Sequence, residues 1–332
     1  MRRLLALLAV SLVACLALAA CSSSKPAASS SASSSASSSA SGSAAPGANT
    51  SVTASGAFGN LPKVSIPKAK AGSALTVKTL IQGSGATYTK SQALAANFVL
   101  YFWNGTSSSQ KASTFGQSPT LIPSQTLPGL ETALQGKKIG SRVLAVIPPA
   151  QGYGTQGDSD LGITGSTTLV FVVDLLKSYD NTVSATGTQV SSGGGTLPTV
   201  TAKAGSAPTL SDFPSSPPKS LVVKTLIKGS GPALSKGEYV IAQYTGYIWR
   251  TKKTFGSSWS SGSPFGFVLG ASPEQVIPGW DKGLVGQTVG SRVMLSIPPA
   301  EGYGSAGQSD AGIKGTDTLV FVVDIIDALK QS

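Results

Sequence analysis

The sequence contains one set of short segments twice, in the same order. The downstream set, residues 276–324, contains Ile-Pro-Gly-Trp, Gly-Ser-Arg-Val, Ile-Pro-Pro-Ala, Gly-Tyr-Gly and Val-Phe-Val-Val-Asp. The upstream set, residues 127–174, has the same segments except that Leu-Pro-Gly-Leu replaces the first. The separation is constant from Tyr153 and Tyr303 onwards, at 150 residues. We therefore expect one small domain present twice, with the second copy the more complete.

Composition agrees with two small domains joined by polar segments. The 332 residues leave room for both copies and for linkers, and 39 glycines, 20 prolines and only 12% charged residues are typical of loop-rich β domains. The net charge is +11, but the longest basic cluster is Arg250–Lys253. Scattered positive charge favours solubility and attraction to an anionic cell surface, so nucleic acid is not an expected partner.

Two residue types limit the possible chemistry. The chain has no histidine, which removes Ser-His-Asp and Cys-His nucleophiles and imidazole metal sites. Cysteine occurs only at Cys15 and Cys21, so a disulfide framework is excluded. The function expected below requires no cofactor and no metal.

The N-terminus has the pattern of an export signal. Arg2 and Arg3 precede an apolar run, residues 4–20, that is too short for a resident membrane span and ends in Leu-Ala-Ala-Cys21. It resembles a bacterial lipoprotein signal, which implies a signal peptide at 1–20, a lipid on Cys21 and an extracytoplasmic, membrane-anchored protein. The alternative is an ordinary secretory signal with an incidental cysteine. The lipoprotein is preferred because the alternative leaves an unpaired thiol in an oxidising compartment.

Coarse patterns divide the rest of the chain. Residues 21–59 are rich in serine and alanine and predict a disordered tether, followed by a first domain at 60–178, a flexible linker at 179–196 and a second domain at 197–332. In the second copy we expect strands at about 220–228, 238–249, 264–269, 293–297 and 319–326. A short helix begins at Pro278, places Trp280 and Leu284 on one face, and ends at Gly286. This predicts an α+β fold, an antiparallel sheet with one short helix on it.

Taken together, seven segments of the second copy resemble the FKBP-type peptidyl-prolyl cis-trans isomerases, and the first copy resembles a diverged member. The resemblance implies two FKBP-like domains, each a curled sheet around a short helix, with an aromatic pocket for a proline ring. It implies site residues Tyr244, Phe255, Phe265, Val276, Ile277, Trp280, Tyr303, Ile313 and Phe321. Trp280 would be the floor, and the Ile277 N–H and the Tyr303 hydroxyl would anchor substrate carbonyls.

Three of these residues also have plain structural interpretations. Trp280 alone on a helix face would be a core residue, Tyr303 between glycines a turn residue, and Phe321 a member of an apolar strand. Gly256 departs from the family, which usually has aspartate there, so weaker activity and weaker binding of macrolide immunosuppressants are expected.

In the first copy, Phe98 and Leu130 replace Tyr244 and Trp280. Counting residues aligns Phe115 with Phe255 and leaves no counterpart of the Phe265 segment. Weak or absent catalysis is expected in the first domain.

Two main functions compete, and a third is weaker. The first is an isomerase that assists the folding of exported proteins, acting on proline-containing peptides and unfolded chains. The second is a non-catalytic module that binds such chains as a chaperone or adaptor. The third is an envelope anchor acting through basic charge alone.

Overall fold

The computed structural model describes residues 48–331 and contains both copies as β-rich domains. The expected signal peptide, Cys21 and most of the tether lie outside these residues. The first domain has one α-helix, α1 (Pro128–Leu134). Its strands are β1 (Thr53–Ser55), β2 (Lys63–Ser65), β3 (Thr76–Ile81), β4 (Gln92–Asn104), β5 (Ser107–Ser113), β6 (Thr120–Ile122), β7 (Arg142–Ile147) and β8 (Thr168–Asp180).

The second domain has the same plan with additions. Its α-helices are α2 (Ser258–Ser261) and α3 (Pro278–Leu284). Its strands are β9 (Thr188–Gln189), β10 (Thr199–Thr201), β11 (Thr209–Ser211), β12 (Val222–Lys228), β13 (Tyr239–Ile248), β14 (Lys253–Ser257), β15 (Phe265–Val268), β16 (Arg292–Ile297) and β17 (Leu319–Leu329). Short 3₁₀ turns lie at Ala48–Ser51, Pro149–Gln151, Pro299–Glu301, Gly304–Ala306 and Ser309–Ala311. Between residues 48 and 331, no helix has the length and apolar character needed to cross a membrane.

Each main sheet is antiparallel and follows the same order. The first runs β3-β7-β8-β4-β5, and the second runs β14-β13-β17-β16-β12-β9. In each sheet a further short strand, β6 or β15, pairs with the strand next to the edge strand, β4 or β13. The predicted α+β class is confirmed. The coarse pattern did not predict β14 or the short strands β1, β2, β10 and β11.

The central strands read as continuous apolar runs because both of their faces are buried. Along β17, Leu319, Phe321 and Val323 point into the concave core with helix α3, whereas Val320 and Val322 point to the convex side. Helix α3 begins with Pro278 at its first turn, and its Trp280 and Leu284 are 3% and 0% exposed. The predicted helix face is therefore confirmed.

A small hairpin covers the convex face of each sheet. β1 pairs with β2, and β10 pairs with β11 in the same register, 146 residues later. Val52 is fully buried against the first sheet and Leu197 is 4% exposed against the second. Residues 48–59, expected to belong to the tether, therefore pack on the first domain. The convex faces are apolar and need a cover, which explains this difference.

Equivalent buried ion pairs connect each sheet to the chain before it. Arg142 donates two hydrogen bonds to Asp174, at 2.6 and 2.7 Å, and Arg292 donates two to Asp324, at 2.5 and 2.6 Å. Asp324 also accepts from the backbone N–H of Ala185 at 3.0 Å. The segment expected to be a flexible linker, residues 179–196, is thus hydrogen-bonded to the second domain, and its β9 pairs with β12.

The two domains pack against each other through equivalent surfaces. We call the contact the interdomain cluster, with buried members Ala93, Ala95, Leu121, Tyr179, Tyr239 and Ile241. The hydroxyl of Tyr239 accepts the backbone N–H of Leu121 at 2.8 Å, and the hydroxyl of Tyr179 donates to Asp327 at 2.8 Å. Lys177, the counterpart of Asp327 in the repeat, forms an ion pair with it at 2.5 Å.

Candidate active site

The second domain has a pocket of about 340 Å³ between helix α3 and the concave face of its sheet. Seven of the nine residues expected at the site line it: Tyr244, Phe265, Val276, Ile277, Trp280, Tyr303 and Phe321. The pocket is open to solvent beside Tyr303, whose side chain is 38% exposed. Its volume and lining suit a small apolar ring.

Aromatic rings surround the indole of Trp280 in edge-to-face geometry. Its centroid lies 5.3 Å from that of Phe321 at 89° and 5.5 Å from that of Tyr244 at 82°. Phe265 lies 6.2 Å away at 86°. Such arrangements bring the positive edge of one ring to the negative face of another and fix each ring in place. Among residues 48–331, the buried indole N–H has no hydrogen-bond acceptor. The aromatic rings around the indole give the floor of the pocket an apolar surface.

The start of helix α3 positions the groups at the mouth. Ile277 is the N-cap residue, with φ −62° and ψ 148°, and it is only half-buried beside Val276. Pro278 follows it and has no N–H, so the chain turns into the helix without an unsatisfied donor at that position. Gly279 packs against Ile297, where a Cβ would lie 2.6 Å from a side-chain carbon. The close approach holds the helix, and with it Trp280, against the sheet.

Two phenol groups supply the polar character of the pocket. Burial raises the pKa of Tyr303 above its usual value of 10. The pKa of Tyr244 is also raised, mainly by burial and to a smaller extent by the nearby Tyr303. Both therefore remain protonated donors at neutral pH. A Cβ at Gly256 would lie 3.6 Å from the Tyr244 hydroxyl oxygen. A carboxylate at position 256 would therefore reach the Tyr244 hydroxyl.

The other two expected residues lie next to the pocket instead of lining it. Ile313 is 4% exposed and belongs to the concave core. Phe255 packs on Phe321 at 5.5 Å and 86°, so it supports the wall from behind. Sequence reasoning missed four lining residues, Glu274, Gln275, Pro278 and Gly302. Each lies within two positions of a residue that the sequence did identify, which is the signal that could have found them.

Strand register corrects the alignment of the two copies. In the first copy, Thr114 donates to Asn97 and accepts the N–H of Phe98; Ser258 does the same with Gln243 and Tyr244. Thr114 is thus the counterpart of Ser258, and Phe115 matches Trp259. The expectation that Phe115 matches Phe255 is wrong, because the hairpin before it is two residues longer, not six. Phe115 packs on the convex face.

The first copy keeps the strand that was expected to be missing. β6 pairs with β4 as β15 pairs with β13, which places Thr120 at the position of Phe265. By the same register Lys111 occupies the position of Phe255, and Leu100 that of Gly246. The first copy therefore lacks the indole floor and two aromatic side chains. Its Leu127 is 3% exposed, whereas its counterpart Ile277 is half-buried.

A sheet curled around a short helix, with a pocket lined by aromatic rings and two phenolic donors, forms a site that suits a small apolar ring. The comparisons with known proteins agree. The sequence model of FKBP-type peptidyl-prolyl cis-trans isomerase matches residues 85–176 and 231–326. The chain belongs to this family, with two domains of the type, and the resemblance inferred from the sequence is confirmed.

Individual relatives show the extent of the similarity. An FK506-binding protein of Streptomyces anulatus is 40% identical over 116 residues, which is 35% of this chain and 92% of that protein. A probable FK506-binding protein of Corynebacterium glutamicum is 38% identical over 111 residues, 33% of this chain and 89% of that one. The crystal structure of FkpA from Escherichia coli aligns at 35% identity, covering 34% of this chain and 49% of that one, with a TM-score of 0.31.

Proposed function

We propose that the second domain carries the isomerase activity and that the protein assists the folding of exported polypeptides. The observation that supports the first part is the ring cage around Trp280. The first copy has Leu130 at the position of Trp280 and Thr120 at the position of Phe265. The export signal predicted for residues 1–20 from the sequence supports the second part. A lipid on Cys21 would keep the enzyme at the outer surface of the cell membrane, where newly exported chains fold.

The pocket can accelerate rotation about an X–Pro peptide bond without a nucleophile, general base or metal. The barrier of about 18–20 kcal/mol arises because twisting the X–Pro bond destroys amide resonance. Resonance places charge on the amide oxygen and nitrogen, and water stabilises that charge in the planar state. An imide held among the Trp280, Phe265 and Phe321 rings loses that water, which disfavours the planar state more than the twisted one.

Hydrogen bonds at the mouth would hold the flanking chain while the bond turns. Tyr303 and Ile277 both line the pocket, and the Tyr303 hydroxyl and the Ile277 N–H would donate to two substrate carbonyls. A millionfold acceleration requires about 8 kcal/mol of differential stabilisation. Desolvation and fixed donors are the sources that this pocket offers.

A matched pair of variants tests which domain is active. Phe321 and Phe171 are equivalent and are 4% and 3% exposed, so replacing either with leucine should destabilise its domain equally, by about 1–2 kcal/mol. In a protease-coupled assay of the mature chain, Phe321→Leu should lower kcat/KM about tenfold or more, the effect of ~1.4 kcal/mol of transition-state binding. Phe171→Leu should leave it unchanged. Equal losses in both variants would contradict the proposal.

A non-catalytic binder remains the second candidate, because Gly256 leaves the Tyr244 hydroxyl without the carboxylate that its position would allow. In that case the mature chain would bind proline peptides but would not change their cis–trans rate. The relatives are named for FK506 binding, and we propose that the second pocket takes macrolides of that class, with reduced affinity because of Gly256.

A further inference from the structure

A second cavity lies on the convex side of the second domain. It has a volume of about 790 Å³, against about 340 Å³ for the proline pocket. One wall is the turn of the β10–β11 hairpin, residues 205–209, and the other is formed by residues 254–262 of β14 and α2. Thr245 and Tyr247, 2% and 7% exposed, form its floor. We call this cavity the edge cleft.

The chemistry of the edge cleft suits an uncharged chain. None of its lining residues is acidic or basic, and its apolar surface comes from Phe255, Trp259 and Pro208. Hydroxyl groups of Ser206 and Thr254 lie among these apolar groups. Within residues 48–331, β14 pairs with β13 alone, so its outer edge presents backbone donors and acceptors. An extended polypeptide satisfies such an edge with its own N–H and C=O groups.

The edge cleft lies beside the proline pocket, and the side chain of Phe255 stands between them. Phe255 lines the cleft, and its ring packs against Phe321 of the pocket, with centroids 5.5 Å apart. Because β14 is the outermost strand, a chain can pass from the concave to the convex side around it.

In the first domain, the position equivalent to the edge cleft is filled by side chains. Phe115, the counterpart of Trp259, is 8% exposed, and the Arg142 guanidinium lies 5.4 Å from the centre of its ring. Arg142 also donates to the carbonyls of Gly56 and Asn60 in the turn of the covering hairpin. In the second copy the hairpin is held by the Tyr247 hydroxyl, which donates to the Pro208 carbonyl at 3.1 Å. Trp259 remains half-buried. The open cleft thus occurs in the copy with the complete pocket.

We infer that the edge cleft binds an extended, uncharged segment of the same polypeptide whose proline occupies the pocket. The inference rests on the proposed isomerase activity of the second domain and defines its substrate class. Long unfolded chains would fill both sites, whereas a short proline peptide fills the pocket alone. Linking the two contacts raises the affinity for long chains without a change at the proline.

The test compares two substrates in the mature chain. One is a tetrapeptide with a single X–Pro bond, and the other is an unfolded protein whose refolding is limited by one X–Pro bond. Trp259→Ala removes an aromatic contact of the cleft and should raise KM for the protein about fivefold to tenfold, as for loss of one interface anchor. The kcat for the protein and both constants for the tetrapeptide should remain within about twofold of the wild type.

A second variant, on the opposite wall of the cleft, shows whether the effect of Trp259→Ala comes from lost binding or from a local folding defect. Ser206 is exposed on the opposite wall, and Ser206→Lys introduces a charge that an uncharged segment would have to desolvate. It should raise KM for the protein in the same way. An unchanged KM in both variants would overturn the inference, and so would equal losses on both substrates.

A direct binding measurement tests the edge cleft independently of the proposed isomerase activity. The anisotropy of a fluorescently labelled, permanently unfolded protein reports binding without turnover. If the wild type turned over neither substrate, the proposed function would fail. Weaker binding by Trp259→Ala and Ser206→Lys would then still support the cleft, and unchanged binding would overturn it.

Discussion

Gly256 is the residue at which a single side chain should change the strength of the site. A Cβ there would lie 3.6 Å from the Tyr244 hydroxyl oxygen and meet no backbone atom closely. We predict that Gly256→Asp gains a charge-assisted hydrogen bond and tightens macrolide binding by about threefold to tenfold, measured by titration calorimetry. The equivalent Ala112→Asp of the first copy, near Phe98, provides the control and should have no effect. A gain in both variants would indicate a nonspecific charge effect.

The tyrosine pKa values predict the pH profile. Since the pKa values of Tyr303 and Tyr244 are raised above 10, the neutral phenols favoured by the folded state persist below about pH 10. Their contribution is lost only as pH rises through the raised values. The chain has no histidine, so kcat/KM should be constant from about pH 6 to 9. A measured inflection in that range would require another titrating group.

At the scale of elements, the β13–β14 ladder determines whether a pocket can form. Gly246 lets the Phe255 and Phe321 rings pack over the strand; a Cβ there would lie 2.8 and 2.9 Å from their carbons. The first copy has Leu100 at this position, 2% exposed and filling the same space. We predict that Gly246→Leu displaces Phe255 and lowers kcat/KM by about tenfold or more. Unchanged tryptophan fluorescence together with unchanged kcat/KM would contradict this prediction.

The same ladder shows how much the sequence could predict. Repeated glycines and apolar strands predicted the fold class and the helix with Trp280. The resemblance to the family implied the nine site residues, of which seven line the pocket. The polar edge strands β5 and β14 have no sequence pattern that predicts how they align between the two copies. Thr114-Phe115 and Thr254-Phe255 look equivalent, but the hydrogen bonds of Thr114 match it to Ser258. Register depends on pairing between strands, so local sequence could not determine it.

The covering hairpins were missed for a similar reason. β1, β2, β10 and β11 are three residues each, with mixed polar and apolar side chains, so their local pattern resembles that of a tether. They become ordered because the convex faces of both sheets are apolar. Tertiary burial, not propensity, accounts for them.

At the scale of the whole molecule, the interdomain cluster makes the two domains one unit. Tyr239, buried at 7% exposure, pairs through β13 with the strand that carries Phe265 and also bonds to Leu121 of the first domain. We predict one cooperative calorimetric transition for the mature chain. Leu121→Asp buries an unpaired charge at the contact and should split it into two. Two transitions in the wild type would refute the coupling.

The ion pair between Lys177 and Asp327 has a further consequence. These residues hold the same place in the two halves, and the surfaces around them are also equivalent, so each half presents a face that could in principle bind another molecule like itself. Such a self-association would set lysine against lysine, or aspartate against aspartate. Opposite charges at this one point therefore favour contact between unlike halves and disfavour contact between like halves of two chains.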